Sequence, residues 1–196
     1  MRIGIYGGTF NPPHIGHLIV AEQVRTELGL DKIIFIPSFI SPHKQEEESD
    51  LAAHRLAMTT LAVSDNTKFK CSDIEVAKKE ISFTIHTLEQ LKREYPSDSF
   101  FLIIGMDNYL TFHLWKEPKR ILELGTLVVM NRHSYPKQVN EVFGTKKTLF
   151  VDVPNIDISS SDIRKRVKEK RSIQYLVPKR VEEYISANGL FDKNSS

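Results

Sequence analysis

Eleven residues near the amino end, Gly-Gly-Thr-Phe-Asn-Pro-Pro-His-Ile-Gly-His over 7–17, hold the densest chemistry in the chain. Gly7 and Gly8 let backbone come close to a ligand, and a helix starting after them offers unpaired N–H groups and a positive dipole end to phosphate. His14 and His17 follow at i, i+3, a spacing that sets both imidazoles on one side of the helix start, facing the loop. Two ring N–H donors there can stabilise charge that builds on a phosphoryl group during transfer, without any covalent role. Two other uses compete: a Gly-Gly turn with a purely structural purpose, and a zinc pair, for which no nearby Glu or Cys completes the spacing.

A second cluster, Ile-Ser-Ser-Ser-Asp-Ile-Arg over 158–164, stands before a helical stretch. Ser159, Ser160 and Arg164 can hold a polyphosphate by hydroxyls, free N–H groups and a forked guanidinium; plain helix capping with a solvated arginine is the alternative. Between the two clusters lies Ile-Gly-Met-Asp at 104–107, where Gly105 and Asp107 end an apolar run. The Asp107 carboxylate can accept bonds from sugar hydroxyls, or merely form a turn. Trp115 is the single Trp, a core residue or a stacking platform. Thr84, in Ser-Phe-Thr-Ile-His-Thr-Leu, suits a helix start. Lys44 sits in a charged stretch where most lysines are simply solvated.

Positioning these residues requires alternating strands and helices. Residues 2–6 read as a buried strand, and Val20, Ala21, Val24 and Leu28 repeat at helical spacing until Gly29. Residues 32–36, Lys-Ile-Ile-Phe-Ile, form an apolar run after Lys32 that Pro37 stops, as in a parallel strand covered on both faces. Leu51–Val63 returns to helical periodicity, 69–76 reads as a strand, and Ile85, Leu88 and Leu91 mark a helix that Pro96 ends. Strands follow at 100–104, 126–130 and 148–153, with a short helix opened by Pro118. The expected fold is α/β, a doubly wound Rossmann-like parallel sheet in one domain over 1–196, with a small C-terminal helical appendage at about 159–191.

Composition narrows the class. With 27 Lys and Arg against 25 Asp and Glu, the net charge of +2 gives no broad field for nucleic acid or an anionic membrane. The basic run 164–171 contains Glu169 and no interleaved aromatic, so it reads as a solvated helix face. Cys71 has no partner for an internal disulfide, and neither a leader-like apolar region nor a spanning run is present. A cytoplasmic location is expected. A homo-oligomer is compatible with these features.

Taken together, the eleven-residue loop resembles the nicotinate mononucleotide adenylyltransferases of the His-x-Gly-His nucleotidyltransferase superfamily. The likeness extends through Ile36–Lys44, Ser82–Leu88, Gly105, Asp107 and Trp115 to the 158–164 cluster, where Ser161 replaces the family's Thr. It implies transfer of the adenylyl group of ATP to nicotinate mononucleotide. His14, His17, Lys44 and Arg164 would be catalytic. Gly8, Thr9, Phe10, His14, His17, Gly105, Asp107, Ser159, Ser160 and Arg164 would bind ATP. Gly7, Gly8, Thr9, Lys44, Thr84, Trp115 and Arg132 would bind the mononucleotide, with Trp115 stacked on its ring. Mg²⁺ would enter with ATP, and no residue is expected to be a dedicated metal ligand. His54 and Arg55 match a family pair for which an ion-pair role is the alternative; Tyr175, Pro178, Tyr184, Gly189 and Leu190 would pack. Phe83 in place of Tyr, with Lys78 and Glu80 before it, departs from the pattern, so the loop there is expected to run differently. Nicotinamide mononucleotide or phosphopantetheine are the alternative acceptors. An RNA-binding relative of class I synthetases lacks support, having no KMSKS stretch or basic surface, and a nucleotide sensor without turnover would not need both histidines.

Overall fold

The computed structural model describes residues 1–40, 51–132, 142, 143, 145 and 147–192. Among them, one sheet is built from β1 (Arg2–Gly8), β2 (Lys32–Pro37), β3 (Phe69–Cys71), β4 (Ser99–Gly105), β5 (Gly125–Arg132) and β6 (Thr148–Val153). Its order is β3-β2-β1-β4-β5-β6, and every pairing is parallel. The helices are α1 (Ile15–Glu27), α2 (Ala52–Val63), α3 (Thr84–Glu94), α4 (Met106–Leu110), α5 (Pro118–Leu124), α6 (Ser160–Lys168) and α7 (Lys179–Ala187), with a 3₁₀ turn at Phe112–Leu114. This is the doubly wound arrangement expected from the sequence. Strand order reverses between β1 and β4, so a crevice opens beyond their carboxyl ends.

The apolar strands lack polar alternation because both faces of the sheet are covered. Ile3, Ile5, Ile34, Ile36, Leu102 and Ile104 pack with Ile85, Leu88 and Leu91 of α3 on one face. Ile33, Phe35, Phe101, Ile103 and Val128 pack with Ala21 and Val24 of α1 on the other. Each such side chain, when fully buried, contributes about 1.5–3 kcal/mol of transfer free energy, so the strands hold β1 and β4 rigidly under the crevice.

The carboxyl-terminal helices share a third core with α2. Ile163 of α6 and Val181 and Ile185 of α7 bury against Met58 and Ala62, and the Tyr184 hydroxyl lies 3.0 Å from His54 Nδ1.

Two expectations need correction, and one short helix was not expected. Tyr175 does not pack: it is 83% exposed and stands at φ 65°, on a turn that directs the ring outward while the next carbonyl, Leu176 O, accepts the Ile15 N–H at 2.9 Å. Strand β3 ends at Cys71 rather than running to 76, because the chain coils beyond Ser72, with Ala77 N–H donating to Asp73 O at 2.8 Å. Asp107 lies in the first turn of a helix, α4, which at five residues is too short to leave a periodic signature.

Candidate active site

The segment that joins β1 to α1 is held from several sides. Ser38 N–H donates to Gly8 O at 3.0 Å, tying the end of β1 to the exit of β2. Phe10 adopts φ 50°, a left-handed conformation that costs a non-glycine residue about 1–2 kcal/mol. The ring is compensated by burial, with its centroid 5.6 Å from that of Tyr6 and 5.1 Å from that of His17.

His14 takes the extended N-cap conformation before α1, and its imidazole stacks on His17 with 3.6 Å between centroids and 28° between planes. His17 Nδ1 accepts the backbone N–H of His14 at 3.1 Å. That bond occupies Nδ1 as an acceptor, so a neutral His17 carries its proton on Nε2. Gly16 makes the stack possible, since a Cβ there would stand 3.0 Å from His14 Nδ1. Burial pushes His14 down to about 4; burial and then its neighbour His14 push His17 down to about 3. Both rings are therefore neutral near pH 7, and His17 presents a hydrogen-bond donor rather than a cation.

Helix α6 grips the same loop from outside. Ser160 Oγ donates to Pro12 O at 2.8 Å, and Arg164 donates through Nη1 to Asn11 O at 2.8 Å and through Nη2 to Ser161 Oγ at 3.3 Å. Ser159 is the helix cap, its hydroxyl accepting the Asp162 N–H at 3.0 Å. Ser159 therefore caps the helix, while Arg164 lies half-buried against the glycine-rich loop with donors to spare.

Two adjoining cavities open over β1 and β4. The larger, about 330 Å³, is lined by Gly7, Gly8, Thr9, Thr84 and Trp115 together with Ser38, Glu75, Phe83, Asn108 and Lys116. The smaller, about 250 Å³, is lined by Tyr6, Phe10, His17, Gly105 and Met130. Gly7, Gly8, Ile103, Ile104, Asn108 and Trp115 border both. Trp115 has its ring centroid 5.4 Å from that of Phe112, so one side of it rests on the core. Trp115 Nε1 and Ser38 Oγ are buried with no hydrogen-bond partner among the described residues, as are groups that a ligand or water would satisfy.

One wall of the larger cavity depends on a chain of contacts that residue patterns did not reveal. Arg55 is fully buried, and its guanidinium donates to Thr9 O at 3.0 Å, Ser38 O at 2.6 Å and Phe39 O at 2.8 Å. The guanidinium thus clamps three carbonyls, a role not foreseen from the sequence. Phe39 N–H donates to Ser82 Oγ at 2.9 Å, and Ser82 N–H to Ile40 O at 2.9 Å. Thr87 Oγ1 donates to Glu75 Oε1 at 2.6 Å; burial raises the Glu75 pKa, against bonds from Thr87 and Ser82 that lower it. The glycine-rich loop, the exit of β2 and the start of α3 thereby form one connected wall. Lys78 and Glu80 are exposed and outside the lining of this cavity.

Other expected residues stand apart from the cavities. Asp107 is exposed, but a Cβ on Gly105 would stand 2.6 Å from its Oδ1, so glycine is what lets the carboxylate fold back over the end of β4. Lys44 lies outside the described residues, as does the side chain of Arg132, whose backbone ends β5. Cys71 is half-buried, with its thiol pushed up to about 11 by burial first. Among the described residues no group of three or more His, Cys, Asp or Glu side chains could hold a metal ion, and no helix is long and apolar enough to cross a membrane.

Glu75, Ser38, Asn108 and Lys116 escaped the sequence reading because each comes to the cavity from a different element. The only available signal was their adjacency to segments already singled out, such as Lys116 beside Trp115.

The cytidylyltransferase-like family model matches residues 5–166. Nicotinate-nucleotide adenylyltransferase of Bacillus subtilis (strain 168) is 39% identical to the chain over 191 residues, covering 97% of this chain and 98% of the relative. Plasmodium falciparum nicotinic acid mononucleotide adenylyltransferase complexed with NaAD has the same fold, with a TM-score of 0.79 at 22% identity, over 100% of this chain and 99% of that one. The same Plasmodium falciparum protein complexed with APC gives a TM-score of 0.76 at 21% identity, over 100% and 99%.

Proposed function

Given that the chain belongs to the nicotinate-nucleotide adenylyltransferases, within the cytidylyltransferase-like family, we propose that it joins nicotinate mononucleotide to the AMP part of ATP, in a step of NAD biosynthesis. The products are nicotinate adenine dinucleotide and pyrophosphate. The observation that supports this most is the pair of adjoining cavities: Trp115 and Thr84 line one, His17 and Gly105 line the other, and Gly7 and Gly8 form their common floor.

In the proposed reaction a 5′-phosphate oxygen of the mononucleotide attacks the α-phosphorus of ATP in line, and the bond from that phosphorus to the β-phosphate oxygen breaks. The attacking group is already an anion near neutral pH, so no general base is required, and catalysis reduces to positioning and charge stabilisation. His17, neutral and protonated on Nε2, is assigned to donate to a non-bridging phosphate oxygen, with His14 stacked behind it. Arg164 is assigned to the leaving phosphates, and its bond to Asn11 O supports this by holding the guanidinium beside the loop. Lys44 and Arg132 are assigned on family resemblance. Asp107 is assigned to ribose hydroxyls, and Ser159 and Ser160 to the approach of the triphosphate.

Mg²⁺ is proposed to arrive on ATP, held mainly by the phosphates and water, and it would neutralise phosphate charge. A cytoplasmic setting is inferred from the substrates.

Pyrophosphate release, measured with ATP and each of nicotinate mononucleotide, nicotinamide mononucleotide and phosphopantetheine, tests the reading. Release is expected to be fastest with the nicotinate acceptor. No release with that acceptor overturns the proposal, and a faster rate with either alternative reassigns the acceptor.

A further inference from the structure

We propose that Lys116 is a specificity-determining residue, whose ammonium at the rim of the Trp115–Thr84 cavity favours a mononucleotide ring bearing a carboxylate over one bearing a neutral carboxamide. This rests on the proposed function, because it concerns which acceptor enters that cavity.

Lys116 follows Trp115 directly and lines the same cavity as Thr84 and Phe83. Its side chain is exposed yet not left to wander. Nζ lies 4.5 Å from the centroid of the Phe83 ring and 3.2 Å from Nε2 of His86 in α3. A cation over an aromatic face and beside an imidazole is held by two contacts that do not cancel its charge. The ammonium is therefore oriented at the cavity rim and remains electrostatically available.

Charges of opposite sign decide whether that cation can select an anion. Glu75 is the acidic residue in the lining of this cavity. Its carboxyl accepts the Thr87 hydroxyl at 2.6 Å, and burial favours its neutral form. With the Glu75 carboxyl engaged by the Thr87 hydroxyl, Lys116 is the lining group whose charge complements a ring carboxylate. Position matters too, since Trp115 offers the ring a face, and a ring stacked there brings its substituent to the rim that Thr84, Phe83 and Lys116 share. Because Lys116 faces solvent, its attraction is screened, and a modest effect of about three- to tenfold in acceptor preference is expected.

The test compares kcat/KM for nicotinate and nicotinamide mononucleotides in wild type, Lys116→Gln and Lys116→Arg. Binding of each mononucleotide, followed through the fluorescence of the single Trp, supplies the same ratio where turnover of the amide is too slow to measure. Lys116→Gln is expected to lower the acid-to-amide ratio about three- to tenfold, mostly through KM, while Lys116→Arg retains it. Raising salt from about 0.05 M to about 0.5 M should shrink the preference of wild type and leave that of Lys116→Gln unchanged. An unchanged ratio in Lys116→Gln, or equal losses on both acceptors, overturns the proposal. Absence of turnover of nicotinate mononucleotide by wild type is a different failure, one that strikes the proposed function itself.

Discussion

His17 Nδ1 accepts the backbone N–H of His14 at 3.1 Å while the two imidazoles stack 3.6 Å apart. One bond thus fixes the N-cap of α1, the tautomer of His17 and the direction of its remaining donor. The family's His-x-Gly-His spacing places the two histidines one helical turn apart, and Gly16 leaves room for the first ring.

Removal of that donor should cost turnover more than folding. His17→Ala is expected to reduce kcat by about a hundredfold or more, the scale for one transition-state donor, measured as pyrophosphate release. Circular dichroism should report an unchanged fold. Near-normal turnover would remove His17 from the catalytic assignment.

Acid should destabilise the protein through the same pair. Burial holds His14 at about 4 and His17 at about 3, against an ordinary value of 6.5. Between those values the unfolded chain binds more protons than the folded one, so stability rises with pH across this window. The contribution is complete above 6.5 and is lost as pH falls toward about 4 and then 3. Urea unfolding at about pH 7 and about pH 5 should show a smaller pH dependence in His14→Gln than in wild type. Identical dependence in both would show that the imidazoles do not carry it.

Trp115 has one side against Phe112 and borders both cavities. Trp115→Ala is expected to raise the KM for the mononucleotide about tenfold, within the range for loss of one stacking platform, with a smaller effect on ATP. In wild type the mononucleotide should quench its fluorescence. An unchanged KM together with a lower melting temperature would make this Trp a core residue alone.

Arg55 joins three carbonyls that belong to two walls of the site. Arg55→Met leaves those carbonyls without their charged donor, and a loss of about 2–4 kcal/mol in urea unfolding is expected. Arg55→Lys, with one compact ammonium in place of a fork, should recover only part of it. A loss below about 0.5 kcal/mol in Arg55→Met would mean that the clamp contributes little.

The sequence by itself determined the architecture. Continuous apolar runs at 33–36 and 100–104 can be satisfied only by strands covered on both faces, and regular alternation with helical stretches then demands a doubly wound parallel sheet. It also marked the loop at 7–17, because Gly-Gly before a helix start and two histidines at i, i+3 are local relationships carried by spacing alone. Tertiary structure decided what spacing cannot encode. Arg55 became a carbonyl clamp, and Glu75 and Lys116 joined the wall of the larger cavity, because separate elements converge at the point where β1 and β4 diverge. Tyr175 turned outward although its motif suggested packing, since a positive φ at one turn residue redirects a side chain without changing the pattern around it. The histidines show both levels at once: their spacing was legible in the chain, whereas their neutrality comes from the burial that only the folded protein supplies.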